Sequence, residues 1–143
     1  MRRMLVRIVG VVVIVAVGSV CSPAAKEAGN PHAVTVSLKC TATDITMTVD
    51  STPRFKGTAG GNGPSGVTWK VDRSSDADDF TITPSDAAKW PFTGTPPFAA
   101  TKAAPFQGKG KSVQDAGIYH YAIKATCPNN GLVVTFDPDI VVD

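Results

Sequence analysis

Histidine, methionine and cysteine are scarce in this chain, at two, three and three residues. After residue 33 no stretch of ten or more residues carries an apolar stripe at helical spacing, which excludes a helical bundle for that part. No serine sits in a Gly-x-Ser-x-Gly setting, and the carboxylates show no pairing beyond one acidic turn, so catalysis has no visible carrier. That turn, with Asp76, Asp78 and Asp79, lacks the loop glycine and distal Glu of a calcium hand and reads as solvated. Gly108-Lys109-Gly110-Lys111-Ser112 echoes a phosphate loop, but Pro105 stands where its first glycine belongs and no strand-to-helix context surrounds it. It reads as a flexible basic loop.

Charge excludes a further class. The formal net charge is +2, but Arg2, Arg3 and Arg7 belong to an N-terminal stretch unlike the rest. Without them eleven basic residues stand against twelve acidic ones, a net of −1. A nearly neutral domain gives no electrostatic case for nucleic acid or for an anionic membrane surface.

What is present begins with that stretch. Three arginines precede an unbroken apolar run over residues 8–17, and small residues follow from Gly18 to Ala25. This order is that of a secretory signal. Residues 8–21 would span roughly 21 Å as a helix, against about 30 Å of bilayer hydrocarbon, which suits a signal better than a spanning segment. Counted from Met4, with Arg7 snorkelling, the length reaches about 27 Å, so a retained anchor stays open. Val17-Gly18-Ser19-Val20-Cys21 is similar to a lipobox, with Val20 where a smaller residue is usual, so lipidation of Cys21 stays open too. The expected organisation is a signal peptide or membrane anchor over 1–24, a linker over 25–33 and a β-sandwich over 34–143. Membrane contact is expected only through the N-terminal segment.

Alternation dominates the remainder. Val34, Val36, Leu38, Cys40 and Ala42 alternate with polar residues, as in a half-buried strand. Thr43-Asp44 breaks the phase before Ile45, Met47 and Val49, which requires a bulge or a tight turn. Residues 51–66 are dense in Gly and Pro and read as a loop. Val67, Trp69 and Val71 alternate again, and Phe80-Thr81-Ile82 forms a partner strand stopped by Pro84. Residues 84–112 read as a long loop packed on the sandwich. Its Trp90, Phe92, Phe98 and Phe106 either cap the open end or form a binding patch. Tyr119, Tyr121, Ile123, Ala125 and Cys127 share one face of the clearest strand, and His120 faces solvent on the other. Asn129-Asn130-Gly131 turns the chain back. Six to eight short strands point to an all-β sandwich or barrel.

Cys40 and Cys127 both lie on the apolar phase of strands, one near the start and one near the end of the expected domain's sequence. Export makes a disulfide between them available, and two free buried thiols are the rival reading.

The strand Gly117-Ile118-Tyr119-His120-Tyr121-Ala122-Ile123 resembles the Gly-x-Tyr-x-Tyr-x-Cys strand of the cupredoxins. Val67-Thr68-Trp69 is similar to the family's Val-x-Trp strand, and Asp78-Asp79-Phe80-Thr81-Ile82 stands where the family has His-Asn-Val-x-Phe. The resemblance covers about half of the chain beyond the N-terminal stretch, and it implies a cupredoxin-like Greek-key β-sandwich. It also fails at named positions. Ile123 stands in place of the copper thiolate and Asp78 in place of the first histidine. No histidine follows Ile123 closely, and no methionine lies downstream. A type 1 centre needs two imidazoles and a thiolate, so no cofactor is expected.

The sequence thus points to an exported, non-enzymatic module of the cell envelope that binds an unidentified protein or small ligand through its end loops. The alternative is a divergent metal-binding or electron-transfer cupredoxin.

Overall fold

The computed structural model describes residues 32–57 and 66–143. The N-terminal signal, anchor and lipidation expectations, Cys21 included, lie outside the described residues. Among the described residues ten strands follow in order: β1 (His32–Cys40), β2 (Ile45–Val49), β3 (Arg54–Phe55), β4 (Val67–Val71), β5 (Asp79–Pro84), β6 (Phe98–Thr101), β7 (Phe106–Gly108), β8 (Gly117–Thr126), β9 (Val133–Phe136) and β10 (Asp139–Val142). One sheet has the order β2-β1-β4-β7, the other β3-β10-β8-β5-β6, with β9 also paired to β8. The domain is all-β and sandwich-like. Among the described residues no helix is long and apolar enough to cross a membrane.

The alternation of β1 is realised at Val34, Val36 and Leu38, which are buried while the residues between them are not; Ala42, read in the same phase, lies exposed in the turn beyond the strand. The phase break at Thr43-Asp44 is a tight turn, closed by the Thr41 N–H donating to the Asp44 carbonyl at 2.8 Å. It is fastened by Thr41 Oγ1, which accepts from the Asp44 N–H at 2.9 Å. β9 and β10 are one strand in unbroken register on β8, since Ile123 faces Phe136 and His120 faces Asp139 with the same offset. The ladder is interrupted only where Pro138 has no N–H to give. Its carbonyl still accepts the Tyr121 N–H at 3.2 Å.

Two loop expectations are corrected. Residues 51–66 contain β3, and residues 84–112 contain β6 and β7. These strands have two, four and three residues, too short for a period of two to declare itself.

Both sheets turn their apolar phases inward around Trp69, which is fully buried. Phe106 and Phe92 approach its ring at centroid distances of 5.5 and 5.6 Å, Tyr121 at 5.9 Å and Trp90 at 6.2 Å. Gly108 lets β7 come this close: a Cβ there would lie 2.7 Å from Trp69 Cζ3. Cys40, ending β1, is bonded to Cys127, just past β8, with an S–S distance of 2.04 Å. The bond staples one sheet to the other at one end of the sandwich.

Candidate functional site

The staple makes the two ends of the domain unlike. At the stapled end Asn130 closes the turn before β9: its Nδ2 donates to the Thr41 carbonyl at 2.6 Å, and its Oδ1 accepts the Leu132 N–H at 2.9 Å. Gly131 takes φ +71° there, a conformation that favours glycine. The hollow left beside Cys40 and Asn130 holds about 410 Å³.

The opposite end is open. A cleft of about 570 Å³ lies between the segment after β5, residues 85–91, and the segment running into β8, residues 111–120. That is within the usual size of ligand sites. Three sets of hydrogen bonds build it. Asp86 Oδ1 accepts the Ala88 and Lys89 N–H groups at 3.0 and 3.3 Å, which bends the chain away from β8 immediately after β5. The Pro91 carbonyl then accepts the Lys111 N–H at 2.9 Å and Gln114 Nε2 at 3.0 Å, so the two walls are joined at the base. Tyr119 Oη donates to the Asp115 carbonyl at 2.6 Å and fixes the approach to β8.

Trp90 and Gln114, both 2% exposed, line the cleft, and Trp90 Nε1 is buried with no hydrogen-bond partner among the described residues. The rim is mixed. Lys89 pairs with Asp86 at 3.6 Å, and His120 Nδ1 lies 2.5 Å from Asp139 Oδ1. Burial pushes the Tyr119 phenol above its ordinary pKa, and the nearby Asp115 carboxylate adds to the shift. Two large aliphatic side chains stand out in solvent on the same cleft: Val113 is 69% and Ile118 61% exposed.

The four aromatic residues read as either a cap on the open end or a binding patch pack inward. Trp90, Phe92 and Phe98 are buried and Phe106 is half-buried. Phe98 stacks on Phe106 at 4.5 Å and Trp90 on Phe98 at 6.4 Å, so they complete the core and present no surface patch. Only Trp90 touches the cleft.

The positions compared with a copper site do not come together. Ile123 is fully buried and faces Ile82, while Asp78 precedes β5 and pairs with Lys102 at 3.0 Å. Cys40 and Cys127 hold each other, His120 holds Asp139, and His32 stacks on Phe55 at 5.9 Å. Among the described residues no group of three His, Cys, Asp or Glu is placed to hold a metal ion. These residues do not fit a type 1 centre, which draws on two imidazoles and a free thiolate.

No family model, no curated protein and no solved structure matches this chain. The site therefore rests on its geometry.

Proposed function

We propose that this protein is an exported, non-enzymatic β-sandwich of cupredoxin-like Greek-key build that binds a protein or small ligand at its cleft end. The carrying observation is the cleft itself, with Val113 and Ile118 left in solvent where two loops part. Aliphatic side chains gathered on a recess fit a surface that another molecule covers. The stapled end supplies the rigid scaffold such a site needs.

Placement of the three quoted motifs favours the cupredoxin-like part. The Val67-x-Trp69 strand is interior to one sheet, and the strands carrying Phe80-x-Ile82 and Tyr119-x-Tyr121 are neighbours in the other. Their inward residues meet in one core. The non-enzymatic part draws on the cleft chemistry. His120 is engaged with Asp139, and no hydroxyl or thiol of the described residues is hydrogen-bonded to its imidazole, as an activated nucleophile requires.

A photo-crosslinking residue at Val113 tests the reading in the producing cell, with the same residue at exposed Val133, outside the cleft, as control. An adduct specific to position 113 is expected. No adduct, or equal adducts at both positions, overturns it.

A further inference from the structure

The outer wall of the cleft is the edge of a strand. Backbone groups of an antiparallel strand point alternately to its two neighbours. In β8 the Tyr121 N–H donates to Pro138 on the β10 side, while the His120 carbonyl accepts the Ser85 N–H on the β5 side at 3.0 Å. Odd-numbered residues therefore serve β10 and even-numbered residues serve β5. Ile118 is even. It lies opposite Val141 of β10, but its N–H and C=O face the other way.

On that side β5 has ended. Its last ladder position is Pro84 opposite Tyr121, and Ser85 adds one bond before Asp86 turns the chain away. β8 runs on to Gly117 with no strand beside this edge among the described residues, and the cleft occupies the space. An edge of this kind, with its donor and acceptor in ladder geometry, is a template for another strand.

We infer that the cleft takes an extended peptide segment of a partner protein, added to β8 at Ile118 in continuation of β5. This rests on the cleft being the binding site, as proposed above. Main-chain groups in register ask for a main-chain partner, which singles out a peptide among ligands. The surroundings state its side chains. Ile118 points outward from the sheet, so an aliphatic or β-branched residue beside it covers exposed apolar surface, and Val113 extends that surface from the loop. On the rim Lys89 and Lys111 are offset by Asp86 and Asp115, so the segment is apolar and uncharged.

The test uses the full chain in detergent micelles, panned with a phage-displayed random heptapeptide library. Ile118→Pro removes the cleft-facing N–H without touching the β10 ladder, since proline is tolerated where its N–H faces away from a partner. Ile118→Thr keeps that N–H and a β-branched side chain. Peptides with alternating aliphatic residues are expected to be enriched about tenfold on the wild-type chain over Ile118→Pro, and to be retained by Ile118→Thr. Hydrogen exchange of the Ile118 amide in the wild-type chain is expected to slow about tenfold on adding a selected peptide. That measurement decides even where Ile118→Pro does not fold. Failure to enrich any peptide, equal enrichment on Ile118→Pro, or an Ile118 amide unaffected by bound peptide overturns the inference. A specific adduct at position 113 alongside an unaffected Ile118 amide removes strand addition while leaving the cleft as the binding site.

Discussion

Trp69 Nε1 donates to Tyr121 Oη at 3.2 Å, so the centre of one sheet is hydrogen-bonded to the centre of the other through two fully buried rings. Neither polar atom has water to fall back on. Tyr121→Phe leaves the indole N–H buried and unpaired, and destabilisation of about 1–3 kcal/mol is expected. Urea unfolding of the two proteins measures it. Tyr119→Phe, at a half-buried phenol, is expected to cost less.

The same phenol makes stability pH-dependent in alkali. Burial pushes the Tyr121 pKa up to about 12, against the Trp69 hydrogen bond, which lowers it. The ordinary value of 10.0 applies to the unfolded chain. Between the two values the unfolded state binds fewer protons than the folded one, so stability falls as pH rises. The loss begins near pH 10, is complete near pH 12 and amounts to about 3 kcal/mol. Denaturant midpoints across that window test it, with Tyr121→Phe expected to lack this contribution.

Reducing Cys40–Cys127 releases a long loop, as the two cysteines are 87 residues apart. Loop-closure entropy puts the expected loss at about 4–5 kcal/mol, a large share of the net stability of a domain this size. The Cys40→Ala/Cys127→Ala double variant, unfolded in urea beside the oxidised wild type, checks it. Equal midpoints would contradict the staple.

Gly108→Ala sets a methyl group 2.7 Å from Trp69 Cζ3 and 3.2 Å from Phe92 Cγ. Both are ring atoms in a packed core and have little room to give. Overpacking of this kind is expected to cost about 1–3 kcal/mol, measured by the same unfolding titration.

Much of this architecture is legible in the sequence wherever alternation runs for five residues or more. Val34 to Leu38, Val67 to Val71 and Tyr119 to Ala125 show their inward faces directly, and the two cysteines on those phases pair in the structure. The strands Phe98–Thr101, paired with β5, and Phe106–Gly108, paired with β4, were illegible because their pairing is decided by tertiary contact. Trp90 and Phe92 left a core cap and a surface patch both open, because composition does not tell an aromatic loop that caps a core from one that faces solvent. The cleft was hidden for a different reason. Its wall is made of backbone at Ile118, and no residue type announces an N–H that has no ladder partner among the described residues. One signal was present: a ten-residue strand ending at Thr126 faces a partner stopped after six residues by Pro84.

Amide hydrogen exchange in the free full chain reads the open edge of β8 without a ligand. The Tyr121 N–H, bonded to Pro138, is expected to exchange slowly, and the Ile118 N–H, three residues earlier on the same strand, close to the unprotected rate. Equal protection of Ile118 and Tyr121 would contradict the account, because it would mean that the edge facing the cleft is already filled.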